Sequence, residues 1–242
     1  MAVVYVDSGT VSDVAGNVSP IPSTPAAVGA GDTLVCVLCH GNNASQAAAA
    51  YAPPAGWTLA NIVTSANLRQ FVYQKDTVDG TEDGVTLTWS VSNGVAASFH
   101  NAVIHRYTGG TGLLKAFSSA TGATAAVEDA GVTTTVNGDL AINYSAMAAQ
   151  LLGVAFNGEA GGTWTRVHTY TTSPPRLQHH TAPMAATGTI NGGTSSIAAL
   201  TAWASHGYAL AALTSTPQTV TTTGVAALFA FGGTPIICPH GF

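Results

Sequence analysis

The residues with the sharpest chemical pattern in this chain are Cys36-Val37-Leu38-Cys39-His40. C-x-x-C-H is the spacing of covalent c-type haem attachment, with both thiols on one haem edge and the histidine as axial ligand. The flanking residues argue otherwise. Thr33-Leu34-Val35 runs into the motif without a break, and the continuous apolar stretch reads as a buried strand. Side chains on a strand alternate faces, so Cys36 and Cys39 point opposite ways. The pair is read as buried strand cysteines. A zinc site would need Cys36, Cys39 and His40 to meet Cys238 and His240, because three thiolates and an imidazole suit tetrahedral Zn²⁺. That requires a bulge bending residues 38–40.

Other candidates are weaker in pattern. Asp76, Asp79, Glu82 and Asp83 share one turn with Gly80 and Gly84, and clustered carboxylates can ligate Ca²⁺. The spacing is not that of an EF-hand, and Asp-Gly pairs favour turns for backbone reasons alone. His100, His105, His168, His179, His180 and His206 are scattered over predicted strands, and no G-x-S-x-G nucleophile motif accompanies them. They are read as satisfied polar or interface histidines, with room for pH-sensitive contacts between subunits. Trp57, Trp89, Trp164 and Trp203 would make a sugar platform if exposed on a sheet face. No residue is assigned a catalytic, cofactor-binding or metal-binding role. The chain is expected not to be an enzyme and to hold no cofactor.

The elements that position these residues repeat. Gly31-Asp32 leads into the strand beginning at Thr33, and Trp57 follows Gly31 by 26 residues. Gly138-Asp139 leads into Leu140-Ala141-Ile142, and Trp164 follows Gly138 by the same 26. The shared position of Trp57 and Trp164 favours the core over a binding platform. Self-similarity at a fixed interval, here 107 residues, sets the fold reading. Ala102 and Ala209 fall at the same interval and are taken as equivalent. The first half is predicted to form strands at 3–6, 33–39, 57–64, 67–74, 85–90 and 96–107. The second is predicted to form them near 113–118, 131–135, 138–146, 163–171, 176–182, 196–203 and 207–214. Pro20, Pro22 and Pro25 mark an edge segment or extended arm, since proline cannot donate to a ladder. Residues 40–55 read as a long loop, and the boundary falls at Thr108-Gly109-Gly110-Thr111-Gly112.

Helical periodicity is nearly absent, and short strands between Gly/Pro turns indicate an all-β fold. The expected architecture is a pair of tandem, internally duplicated, jelly-roll-like β-sandwiches with extended N- and C-terminal segments. The first repeat takes residues 1–110, the second 111–214, and 215–242 form an extra strand and apolar tail.

Of the 242 residues 46% are hydrophobic and only 7% charged, against about 25% in ordinary soluble domains. Net charge is −5, with Lys+Arg 6, so no basic patch exists to hold a nucleic-acid backbone. No apolar run reaches the roughly 18 residues of a membrane span, and Met1-Ala2-Val3-Val4 does not open a signal peptide. Three cysteines make no disulfide framework. A neutral Thr/Ser/Asn/Gly/Ala exterior is cheap to desolvate, so the chain is expected to be packed against other subunits.

Ala30-Gly31-Asp32-Thr33-Leu34-Val35, Pro53-Pro54-Ala55-Gly56-Trp57-Thr58, Leu68 to Lys75, Val85 to Ser90 and Ala102 to Tyr107 together resemble a β-sandwich module of tailed-phage virion proteins. The resemblance continues through Gly138-Asp139-Leu140 and Tyr208 to Leu213, covering roughly residues 25–214. It implies assembly, with no catalytic residues to carry over. The expectation is a capsid decoration or cement protein that bridges subunits of the phage head. Its partners would be the major capsid protein and copies of itself, as a trimer or dimer. Neither nucleic acid nor membrane is expected as a partner, and the protein would reach the virion by assembly in the host cytoplasm. The alternative is a tail-tip or fibre module binding host surface glycans.

Overall fold

The computed structural model describes residues 2–42, 50–75, 77–92, 98–124, 126–128, 130–148, 156–157, 164–170, 175–192, 194–196 and 202–213. Among these there is no helix. The first half contributes β1 (Val4–Ser8), β2 (Ser12–Ala15), β3 (Thr33–Asn42), β4 (Ala50–Ala52), β5 (Trp57–Ser65), β6 (Leu68–Lys75), β7 (Ser90–Ser92) and β8 (Ser98–Thr108). The second contributes β9 (Gly110–Gly122), β10 (Ala126–Glu128), β11 (Val132–Thr134), β12 (Leu140–Met147), β13 (Phe156–Asn157), β14 (Thr165–Tyr170), β15 (Arg176–Pro183), β16 (Gly188–Ile190), β17 (Thr194–Ser196) and β18 (Trp203–Ala212).

Two large antiparallel sheets result. The first runs β1-β8-β3-β6-β5, with β2 also on β8, and the second runs β9-β18-β12-β15-β14. Written in chain order within each half, the strands occupy the same places. The inner faces meet in one apolar core, where Val35, Val37, Leu68, Val72 and Val103 pack with Leu140, Ile142, Leu177, Ala204 and Leu210. The outer face of the first sheet packs Leu34, Cys36, Leu38 and Ile104 against Val28, Tyr51, Val78 and Trp89. The outer face of the second packs Ala141, Ala182 and Ala209 against Val132, Trp164, Met184 and Ile190. The small pairs β4-β7 and β11-β16 and the three-stranded sheet β10-β17-β13 lie in these outer covers. The body therefore has four layers. Strands β3 and β12 are buried on both faces, which is why Leu34 to Cys39 reads as an unbroken apolar run; β12 buries Asn143 and Ser145 on its outer side.

The 107-residue interval has a geometric counterpart. Asp32 Oδ2 accepts from Gly29 N–H at 2.8 Å, and Asp139 Oδ2 from Val136 N–H at 3.2 Å. Gly31 and Gly138 precede them at φ of +83° and +88°, a left-handed conformation that suits glycine. Ladder β5-β6 is bulged between Leu59 and Asn61, and ladder β14-β15 between Arg166 and His168, again 107 residues on. Trp57 and Trp164 are buried just ahead of these bulges. Bulges also interrupt the ladders of β1 and β9, at the opposite borders of the sheets, whereas the ladders of β2, β3 and β12 run unbroken.

Several expectations change. Ala102 faces Leu38, while Ala209 faces Ala141, the counterpart of Leu34. The register makes Ser205, opposite Ser145, the equivalent of Ala102. The last connection of the second half is thus four residues shorter, which an interval carried straight through could not register. Trp203 to Ala212 is one strand rather than parts of two at 196–203 and 207–214. The N-terminal segment is no free arm: β1 and β2 belong to the first sheet, and Pro20 and Pro22 carbonyls accept from Trp89 and Leu87 N–H at 3.0 Å each. Proline lacks a donor but keeps its acceptor, so these residues suit a one-sided edge. Residues 43–49 of the long loop and the tail from 214 lie outside the described residues.

If the two Trp positions do equal work, Trp57→Ala and Trp164→Ala will each lower stability by about 3–5 kcal/mol. Urea unfolding of each variant should show matched midpoint shifts. A near-neutral effect at either site would break the equivalence.

Candidate functional site

Among the described residues, two interior clusters gather most of the histidine and tyrosine side chains. The first is the middle of the seam between the large sheets. Strand β8 presents His105 and Tyr107 inward, β12 presents Tyr144, β15 presents His179, and β18 presents His206 and Tyr208. All are buried. Tyr107 OH is hydrogen-bonded to Tyr144 OH at 2.6 Å and to His179 Nε2 at 2.8 Å. His105 Nδ1 is hydrogen-bonded to Ser8 Oγ at 2.8 Å, which in turn meets Tyr5 OH at 2.7 Å. His105 and His179 lie with ring centroids 4.3 Å apart, and His105 stacks on Tyr144 at 5.4 Å. Further along, His206 Nδ1 donates to Gln70 Oε1 at 2.9 Å across the seam.

Burial governs the electrostatics here. It pushes the Tyr107, Tyr144 and Tyr208 hydroxyls well above the usual phenol range. It lowers His206 to about 3. A phenol held that high does not ionise, and an imidazole held that low stays neutral at physiological pH. The group is a hydrogen-bonding network rather than an acid–base pair.

The second cluster lies on the outer face of the first sheet, near the far end of β3. His40 and His100 are directly opposed across the β3-β8 ladder and stack at 5.1 Å. His100 Nε2 donates to Gly16 O at 2.7 Å and Nδ1 accepts from Tyr51 OH. His40 Nε2 is hydrogen-bonded to Ser98 Oγ at 3.2 Å. Burial lowers His40 to about 4, helped by His100 and by the Arg69 guanidinium. His100 is lowered too, chiefly by burial. His180 belongs to the outer face of the other sheet and is lowered to about 3 by burial, then by Arg166. His179 and His180 thus face opposite sides, as alternation requires.

The other singled-out residues separate. Cys36 packs in the outer core and Cys39 in the seam, so the two thiols of the C-x-x-C-H run face opposite sides of one sheet. Cys238 and His240 lie outside the described residues, as does Asp76. In the acidic turn, Asp79 accepts from Thr81, Glu82 accepts from the Asp79 and Gly80 N–H groups, and Asp83 accepts from Ala27 N–H. Glu82 also lies 3.6 Å from Lys75. These carboxylates hold backbone rather than converge, and no group of three or more metal-ligating side chains occurs among the described residues. Trp57, Trp89, Trp164 and Trp203 are all buried, so these four provide no exposed sugar platform. His100, His105, His179, His180 and His206, read as satisfied polar or interface histidines, are buried, which leaves the interior alternative, and His40 is buried as well. His168 is placed on β14 only.

Sequence reasoning missed Tyr5, Ser8, Gln70, Tyr107, Tyr144 and Tyr208. For Gln70, Tyr144 and Tyr208 the signal was parity: each shares a face with an apolar seam residue two positions away on its strand. The clefts are shallow. One of about 290 Å³ lies between the halves, lined by Asp32, Lys75, Val78, Thr111 and Leu213. In it Asp32 is already engaged by Arg106 Nε at 2.7 Å and Lys75 by Glu82.

Comparison of the chain with protein-family models, with curated proteins and with solved structures finds no match.

Burial pushes the thiols of Cys36 and Cys39 up. Neither should react with a maleimide at pH 8 in the native protein, and both should label after denaturation. Peptide mapping that finds either one modified in the folded state would contradict their placement.

Proposed function

We propose that this protein is a virion structural protein, a capsid decoration or cement protein that bridges subunits of a phage head. The observation that carries the reading is where the chemistry is spent. Among the described residues, imidazoles, thiols and indoles are buried in the body, while apolar side chains such as Val4, Val6, Leu59, Ile62 and Phe117 stay exposed on the edge strands. Acidic and basic side chains number 17 in all (11 + 6), so little charge has to be stripped of water when the exterior is covered. Exposed apolar groups on a weakly charged surface suit contact with other protein. The partners are the major capsid protein and further copies of this chain, as a trimer or dimer in the virion, with no reaction and no cofactor.

The same reading includes ancestry. The two halves are taken as copies of one jelly-roll-like unit. The repeated strand order, the repeated bulge and the repeated Asp-capped turn support this, because independent sequences have no reason to share all three at one interval. In each half the first, last, second and next-to-last long strands lie side by side, the order expected of a double Greek key.

Quantifying the protein in purified particles tests the role. Hundreds of copies per particle support decoration of the head. A handful of copies, or binding to host cell-wall polysaccharide, would move the protein to the tail. At residue level, Leu59→Asp and Ile62→Asp should change stability by no more than about 0.5 kcal/mol, as exposed positions do. Occupancy on particles should fall at least about tenfold, the cost of roughly 1.4 kcal/mol at the contact.

A further inference from the structure

We propose that residues 225–231 lie across the border formed by β5 and β9 of their own body and cover its exposed apolar side chains. Strand β5 is outermost in the first sheet and β9 in the second. Two hydrogen bonds align these strands. Ser65 Oγ of β5 donates to Gly122 O of β9 at 3.0 Å. Leu114 N–H of β9 donates at 3.1 Å to Gln74 Oε1, and Gln74 stands opposite Thr58 of β5. The offsets agree, 122 − 65 = 57 and 114 − 58 = 56, so the strands run in one direction, with Phe117 level with Ala60 and Asn61.

That level carries the apolar surface. Leu59, Ile62 and Phe117 are 45%, 42% and 53% exposed, on adjoining positions of the two strands. Phe117 meets the buried Tyr208 edge-on with ring centroids 5.5 Å apart, so the surface continues outward from the core of the seam. Strand β5 has no charged residue and β9 has only Lys115. Covering this border therefore strips almost no charge of water.

Chain length selects the occupant. The described body ends at Leu213, beside this border: Leu213 N–H donates to Gly109 O at 3.1 Å, and Ala212 pairs with Gly110, where β9 begins. Residues 214–224 follow, mostly threonine and without a charge. Eleven residues reach at most about 36–40 Å. A coil of that length has a root-mean-square span of about 17–20 Å. Phe117 stands seven residues up β9 from Gly110, about 23 Å away. Tether and span match, the condition under which a linked segment is most concentrated, at about millimolar. At about 1 μM protein, a second copy's segment competes at roughly a thousandth of that.

The segment has the chemistry the border asks for. Val225-Ala226-Ala227-Leu228-Phe229-Ala230-Phe231 is apolar throughout, and residues 214–242 contain no Asp, Glu, Lys or Arg. Extended, it would cover about 23 Å, with Val225, Ala227, Phe229 and Phe231 on one face by the two-residue period. The opposite border suits it less. That border lies four ladder steps from β9, about 19 Å across the sheet. It sets Asp7, Asp13 and Arg166 beside Val4 and Val6. The ladder of β5 shifts register between Leu59 and Asn61, so side chains rather than a regular added strand would hold the segment. A partner that takes Leu59 and Ile62 must displace it. The inference concerns the free chain and stands or falls apart from the virion reading.

The test is NMR of the full chain carrying a nitroxide at position 230, attached through Ala230→Cys in a Cys238→Ser background. Cys36 and Cys39 are buried and stay unlabelled. The nitroxide should broaden amide signals of β5 and β9 and leave those of β1 and β14 sharp. Adding Phe229→Asp and Phe231→Asp should abolish the broadening, and Ile62→Asp on the border should weaken it. Spin-labelled chain mixed with isotope-labelled chain that bears no nitroxide should give none. A second measurement needs no label: Phe229→Asp with Phe231→Asp should shift the methyl signals of Leu59 and Ile62 and leave those of Val4 and Val6 in place. Sharp β5 and β9 signals beside the nitroxide, broadening at β1 or β14 instead, or broadening that passes mainly between copies would overturn the proposal. So would Leu59 and Ile62 methyl signals indifferent to the two phenylalanine substitutions.

Discussion

The body of this protein depends on one contact, the meeting of two antiparallel sheets through faces that are apolar around a polar middle. Valine, leucine and isoleucine from β3, β6 and β12 supply the area that drives the sheets together. The tyrosines and histidines at the centre supply direction, since each hydroxyl and ring nitrogen must find its partner across a fixed gap. An apolar face alone would allow the sheets to slide; a hydrogen-bonded middle fixes one alignment. The rest of the molecule follows. The outer faces of the sheets are left to be covered by short strands and loops, and those covers bury the four tryptophans.

That arrangement explains which features were readable in the chain. Thr33 to Leu38 is apolar without interruption because β3 is covered on both faces, and its central place in the sheet follows from that alone. Gly31-Asp32 and Gly138-Asp139 were legible because a left-handed glycine before a turn-closing aspartate is a local requirement, independent of distant contacts. Opposite facing of Cys36 and Cys39, and of His179 and His180, needed only the two-residue period of a strand.

The unreadable part was set by partners far away in sequence. Tyr107 and Tyr144 look like ordinary strand aromatics until their hydroxyls are seen to meet, and His206 has its partner at Gln70, 136 residues earlier. The four-residue difference between the last strands of the halves also escaped, because small residues such as Ala102 and Ala209 match anywhere in an alanine-rich chain. The histidines were read as satisfied polar or interface groups, and polarity alone could not choose between the two. Inside a seam their second nitrogen is the costly atom, and periodicity does not report it.

The bulges have a consequence for how many copies can crowd together. Among the described residues the ladders of β1 and β5 in one large sheet and of β9 and β14 in the other are interrupted, while β2, on the same border as β1, pairs in regular register. A neighbouring chain that tried to extend either sheet would find backbone donors and acceptors out of phase after a few residues. Neighbours at high density can then lean on one another through side chains while remaining unable to zip into a continuous ribbon. A protein with so little charge to keep its copies apart has, in these interrupted ladders, a guard against fibrils.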